Sequence, residues 1–314
     1  MAEDIDVGVI LKKAFKSLIH DPGYIILFLV PSVVTLVFGV ISWLVMGIDF
    51  QTLVQASANP RLLTTIFQDK IPLLIVIGIV SFIVTIVASV TVIAAAIKKV
   101  EAQEAGKKLN VPQSLSVGFS YFPRLFGAML LFIIIVVLPI LGMVGLIMLG
   151  AVSYNASLIC LSTALLIILL IPLIYFIIRL CLFSQTCVVE KLGAVDSLKR
   201  SWNITKGKVI LLFVTFLIIG IIAFAVMIPF TAINAVSSYN AYSSNMFNAT
   251  SMPTTTQSYS PIGTIANFIG QLLMQLIIAP LSLITLTLFY LGITKKHNPL
   301  EPHKILSSSS NTQL

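Results

Sequence analysis

Charge is scarce in this sequence. Only 10% of its 314 residues are Asp, Glu, Lys or Arg, against 58% that are hydrophobic. A soluble domain carries about 25% charged residues. This chain has too few to cover its own surface, so much of that surface must face lipid. The same poverty excludes disorder for the bulk of the chain, because disordered segments are polar and short of Ile, Leu and Val. Cysteine is scarce too. Cys160, Cys181 and Cys187 are the only three, an odd number without regular spacing, which excludes a disulfide framework. His20, His297 and His303 flank hydrophobic stretches without a metal-ligand pattern. They are expected at the membrane interface, and no metal or cofactor is expected.

What is present is long runs of apolar residues. A bilayer core needs about 20 of them as helix, and six stretches qualify: 24–47, 72–97, 125–152, 158–183, 209–232 and 262–293. The first is too long for the hydrophobic region of a signal peptide and no small-residue cleavage site follows it, so it is expected to stay as a helix. All 11 acidic residues fall outside the six stretches. With no intramembrane carboxylate, no HExxH and no Ser–His dyad, neither an intramembrane protease nor a carboxylate-based proton pump is expected, and the chain reads as non-enzymatic.

The cations set the orientation. With the N-terminus inside, 17 of the 19 Lys and Arg residues fall in cytoplasmic segments or at that face, and only Arg61 and Lys70 remain outside. Cytoplasmic loops carry such an excess, so both termini are expected in the cytoplasm and the chain in the plasma membrane. The net charge of +8 is explained by topology and by anionic headgroups, and no nucleic-acid partner is expected. The uncharged segment 233–261 is expected outside. It holds Asn248-Ala249-Thr250, and a short outer turn holds Asn155-Ala156-Ser157; both are acceptor patterns for N-glycosylation.

The segments before the first, third and fifth stretches resemble one another. Each pairs a Leu with an aromatic four residues on, Leu11/Phe15, Leu115/Phe119 and Leu198/Trp202, and then meets a Pro or Gly before entering the membrane. In the first, Val7, Ile10, Leu11, Ala14, Phe15 and Leu18 make an apolar helical stripe with Lys12, Lys13 and Lys16 off it. In the third, Leu192, Val195, Leu198 and Trp202 oppose Lys199, Arg200 and Lys206. Such helices lie in the headgroup plane. The expected architecture is therefore all-α and polytopic. Six transmembrane helices form three helix-pair repeats, about 5–97, 109–183 and 192–293, each led by a cytoplasmic interfacial amphipathic helix. They make one domain over 1–297, followed by a polar, disordered tail at 298–314.

The stretch from Arg179 to Gly207 carries a more specific pattern: an Arg near the end of a span, then Glu190-Lys191-Leu192-Gly193, then Arg200-Ser201-Trp202 and Thr205-Lys206-Gly207. This resembles the membrane domain attached to some bacterial glycerophosphoryl diester phosphodiesterases and its stand-alone bacterial and archaeal relatives. In that family an Arg-containing span, an acidic-x-x-Gly turn and an R-S-W-x-x-T-x-G lead-in recur. The family's enzymes keep their chemistry in a separate soluble domain. Here no stretch outside the spans reaches 30 residues, so the resemblance implies a membrane module without phosphodiesterase activity.

Two sets of candidate residues follow. Lys12, Lys13, Lys16, Arg179, Lys199, Arg200 and Trp202 are expected to meet anionic lipid headgroups or a protein partner at the cytoplasmic face, with Arg179 snorkelling to a phosphate or pairing with Glu190. Asn267, Gln271 and Gln275 repeat at helical spacing in the sixth stretch, as Ser81, Thr85 and Ser89 do in the second. Amides do not comfortably face lipid, so the former stripe is expected against another helix or along a polar path for a small solute or lipid. The reading is a membrane module organising lipid or a partner protein, with a transporter or permease-like component as the alternative.

Overall fold

The computed structural model describes residues 6–47, 68, 70–152, 156–247 and 261–297. In chain order the helices are α1 (Val7–His20), α2 (Gly23–Met46), α3 (Ile71–Glu104), α4 (Val111–Ser120), α5 (Phe122–Val152), α6 (Ala156–Leu180), α7 (Phe183–Val189), α8 (Ala194–Ile204), α9 (Val209–Phe247), α10 (Pro261–Leu273) and α11 (Ala279–His297). Among the described residues there is no strand. Six helical segments are long and apolar enough to cross a membrane: Gly23–Met46, Ile71–Glu104, Phe122–Val152, Cys160–Val189, Val209–Val236 and Ile265–Thr294, here spans one to six. The chain is a multi-pass membrane protein. Asn155, Asn248, Arg61 and the 298–314 tail lie outside the described residues.

The expected spans and the observed ones agree closely, with two physical departures. Span two runs on to Glu104, past the expected end at 97. Its polar extension stays helical with Lys98 and Glu101 paired at 2.7 Å across one turn. Span six is not one regular helix. Between α10 and α11 lies a π-helical turn, Met274–Ile278, in which the Ala279 N–H reaches back to Met274 O. Pro280 explains its place. A proline ring clashes with the carbonyl four residues earlier and offers no N–H, and the wider turn before it relieves that clash.

Consecutive spans pair as hairpins: α2 with α3, α5 with α6, and α9 with α10. The three short helices α1, α4 and α8 all sit at one end of the bundle, here the basic end. There α4 packs on α3 and α2, while α8 packs on α7, α6 and α5. In the same manner α1 packs on α11 and, through Val7 and Leu11, on Ile218, Ile219 and Ile222 of span five. Each short helix thus lies on the hairpin before it, and the first closes on the last.

The core gathers at the same end. Leu27, Ile97, Leu125, Leu182, Leu212, Leu281 and Phe289 are all fully buried there. Further along the hairpins, Leu36, Val40, Ile75, Ile79, Leu138 and Leu141 are exposed. Span six is the central element: 56% of its most apolar stretch is buried, against at most 22% in any other span.

This packing revises the expectation for the short helices. The apolar stripe of α1 does not lie free for the headgroup plane: Leu11, Ala14 and Leu18 are buried against protein. One glycine shows how close such contacts are. A Cβ on Gly118 of α4 would fall 2.4 Å from the Thr91 carbonyl oxygen and 2.8 Å from Ala95 N, so only glycine lets α4 lie flat on α3.

Candidate functional site

Polar side chains collect where α8 meets span four. The α6 helix ends at Leu180 and α7 begins at Phe183, and the last carbonyls of a broken helix need outside donors. Arg179 O receives two. Ser201 Oγ and Thr205 Oγ1, one turn apart on α8, each donate to it at 3.0 Å. Thr186 Oγ1 of α7 donates to Ser197 O at 2.9 Å. Ser197, Ser201, Thr205 and Thr186 are all fully buried. The hydroxyl face of α8 is therefore its inner face, fixed by hydrogen bonds as well as by packing.

The turn from α7 into α8 is held from three sides. Lys191 takes a left-handed backbone with φ of 56°, uncommon for a residue with a Cβ. Its carbonyl accepts from Arg124 Nη1 at 3.4 Å. Glu190 is bound by Arg200 Nε at 3.0 and 3.1 Å and by the Tyr290 hydroxyl of span six at 2.6 Å. The expected alternative partner for Arg179 is thereby corrected: Glu190 serves Arg200 and Tyr290 instead.

Arg179 itself is only 5% exposed. Its guanidinium carbon lies 4.2 Å from the centre of the Trp202 ring and 5.7 Å from that of Tyr175. Tyr175 stands edge-on to Trp202 at 6.0 Å, and Phe176 lies 5.3 Å from the same indole. Among the described residues no carboxylate pairs with Arg179, and its buried Nε has no hydrogen-bond acceptor. The expected snorkelling side chain is instead capped by aromatics.

A second buried cation shows the contrast. Lys99 of span two is 4% exposed, and its amine meets Asp21 at 3.0 Å and the Tyr24 ring at 5.0 Å. The α1–α2 turn sits directly on it: a Cβ on Gly23 would fall 2.2 Å from Lys99 Nζ. Tyr24 and Ser17 both donate to Gln103 Oε1, at 2.9 and 2.8 Å. This cation is neutralised, whereas Arg179 is not.

The remaining expected residues divide. Lys12, Lys13 and Lys16 are exposed on α1, and Lys13 reaches Glu104 at 2.8 Å. Lys199 is exposed on α8. In span six Asn267 is half-buried, Gln271 exposed, and Gln275 half-buried within the π-helical turn. The stripe of span two faces span one: Ser81 and Thr85 line an open cleft of about 410 Å³ with Thr35, Gly39 and Ser42, and no residue of span six lines it.

Sequence reasoning missed Tyr175, Lys99, Asp21 and Tyr290. Tyr175 was readable, since it precedes Arg179 by four residues and shares its helical face. Tyr290 lies one hundred residues from Glu190, and no local pattern joins them.

A family model described as a domain of unknown function (DUF7847) matches residues 116–293. The match contains the whole Arg179–Trp202 joint, the Glu190 turn and Tyr290. No curated protein and no solved structure matches the chain.

Proposed function

The chain belongs to the DUF7847 family, and from that premise we propose that it is a non-catalytic membrane module that organises phospholipid, and through it a protein partner, at the cytoplasmic leaflet of the plasma membrane. The observation that carries this reading is the placement of free cations. Lys12 and Lys16 of α1 and Lys199 of α8 are exposed at the basic end, and among the described residues none pairs with a carboxylate. Lys or Arg close to an anionic membrane surface contributes about 1 kcal/mol of attraction. The excess of Lys and Arg at this end orients it to the cytoplasm.

The reading includes three repeated units, each a short helix and a hairpin. Support comes from the register of the contacts. Three residues after Leu11, Leu115 and Leu198 stand Ala14, Gly118 and Ser201, all small and all buried. At Gly118 and Ser201 this small position meets the preceding hairpin directly, at Thr91 and Ala95 of α3 and at the Arg179 carbonyl, while Ala14 is buried in the cluster that α1 shares with α2, α3 and α11. The ring so formed holds the basic helices at one depth. The resemblance of residues 179–207 to the membrane domain of glycerophosphoryl diester phosphodiesterases agrees with a lipid-facing role.

The test is co-extraction into polymer nanodiscs from a membrane of mixed anionic and zwitterionic phospholipid. The wild-type chain is expected to carry more anionic lipid than the bulk. The triple variant Lys12→Gln, Lys16→Gln, Lys199→Gln is expected to lose most of that excess. Equal composition in both would count against the proposal.

A second reading, a permease-like component, is favoured by one observation: Gln271 is exposed one turn after Asn267 and next to the π-helical turn that holds Gln275. Such turns are frequent at functional sites. Solute flux into vesicles that Gln271→Leu abolishes without unfolding would select this reading.

A further inference from the structure

We propose that Arg179, Tyr175 and Trp202 form a binding site for the phosphate of a single phospholipid headgroup, at the seam between span four and α8. The inference rests on the reading that this end of the bundle meets headgroups, and it assigns one lipid to one place.

The first argument is the unmet bonding of the guanidinium. Arg179 is 95% removed from solvent by its 5% exposure, and its Nε–H has no acceptor. A buried donor left unmade is costly, and more so when it is charged. Aromatic faces stabilise the cation but accept no strong hydrogen bond. The nearest carboxylate in the motif, Glu190, is already bound by Arg200 and Tyr290. A phosphate supplies both the charge and the acceptor oxygens, in the geometry that a planar guanidinium matches.

The second argument is that the fold does not need this charge. If the three short helices are equivalent, Phe15 and Phe119 stand where Trp202 stands. Among the described residues no Lys or Arg lies over either of those two rings. The α4 joint closes on Gly118 without a buried guanidinium, and the cation nearest it, Lys98 over the Tyr121 ring, is paired with Glu101. An unpaired guanidinium is therefore not needed for closure.

The third argument identifies the source of the phosphate. Tyr175 and Phe176 are each more than 40% exposed, on the side of span four away from the bundle core. Tyrosine, with an apolar ring and a polar hydroxyl, settles at headgroup depth. The joint is thus rimmed on its lipid side by an interfacial tyrosine and the apolar Phe176 ring, which favours a lipid phosphate over a free anion.

The experiment uses the full chain purified in a maltoside detergent and examined by native mass spectrometry during titration with phosphatidylglycerol, and separately with inorganic phosphate. One phosphatidylglycerol is expected to bind well above the rest. Arg179→Gln is expected to weaken that first site roughly tenfold or more, as loss of a charge-assisted pair does. Arg179→Lys keeps the charge but loses the planar fork, and Trp202→Phe shrinks the platform; each is expected to weaken the site several-fold at an unchanged melting temperature. If Arg179→Gln does not fold, these two decide. Unchanged first-site affinity in the folded variants would overturn the proposal. So would saturation of Arg179 by inorganic phosphate with no preference for the lipid. The lysine triple variant separates the two levels: if it keeps the general enrichment of anionic lipid, the wider reading fails, while a first phosphatidylglycerol site that it retains and that Arg179→Gln weakens leaves this site standing.

Discussion

The hydroxyl of Tyr290 donates a 2.6 Å hydrogen bond to Glu190 across one hundred residues of sequence. It ties the central span to the turn that launches α8. Arg200 completes the group from α8 itself, so one carboxylate joins span four, α8 and span six.

Removal of that bond has a definite expected effect. Tyr290→Phe is expected to destabilise the chain by about 1.5–3 kcal/mol, the range for hydrogen bonds to charged groups. Glu190→Gln is expected to overlap with it, so that the double variant costs less than the two single changes added. Thermal unfolding in detergent of the four proteins in the cycle measures this. Strict additivity would show that the two residues do not act together.

Glycine substitutions separate close helix contacts from open ones. Gly118→Ala places a Cβ 2.4 Å from a backbone oxygen, which α4 can relieve only by moving off α3; a loss of about 1–3 kcal/mol or more is expected. Gly23→Ala meets the Lys99 amine, a movable group whose displacement breaks its pair with Asp21, so a smaller but clear loss is expected. Gly39 and Gly78 have nothing within 4 Å of an added Cβ. Ala there is expected to be neutral or up to about 1 kcal/mol stabilising. The order of melting temperatures checks the series, and a Gly118→Ala protein as stable as Gly39→Ala would contradict the packing.

Sidedness follows from the cation distribution. In a Cys160→Ser, Cys181→Ser background, Lys12→Cys and Lys199→Cys are expected to react with a membrane-impermeant maleimide only in inside-out vesicles. Cys187 is fully buried and is expected to stay silent. Labelling of either engineered cysteine in intact cells would reverse the topology.

The membrane spans were legible because lipid imposes a length and a composition that a single sequence displays. All six expected stretches lie within or close to observed helices, and the departures occur where polar residues or a proline intervene. Span two outruns its hydrophobic stretch because Lys98 and Glu101 sustain the helix, and a proline remodels span six. The site was only half legible. Arg179 and Trp202 stand out as a charged residue at a span end and an aromatic on a basic helix. That one stacks on the other depends on the break at 181–182, which frees the Arg179 carbonyl for Ser201 and Thr205. Lys99 counted in the sequence only as one of the cytoplasmic cations; the α1–α2 turn laid over it makes it a buried ion pair. The apolar stripe of α1 was expected to meet the headgroup plane, but a sequence pattern does not say whether such residues meet lipid or protein, and here α1 packs on α11 and span five.

The central claim is that the basic end of the bundle engages anionic headgroups through α1 and α8. Cross-linking by a phosphatidylglycerol analogue with a photoreactive group on its headgroup, mapped by peptide mass spectrometry, tests it most directly. Adducts are expected to concentrate in peptides covering residues 7–20 and 194–208, and to fall several-fold when Lys12, Lys16 and Lys199 are changed to Gln. Adducts spread equally over the segments at the opposite end, or unaffected by those changes, would contradict it.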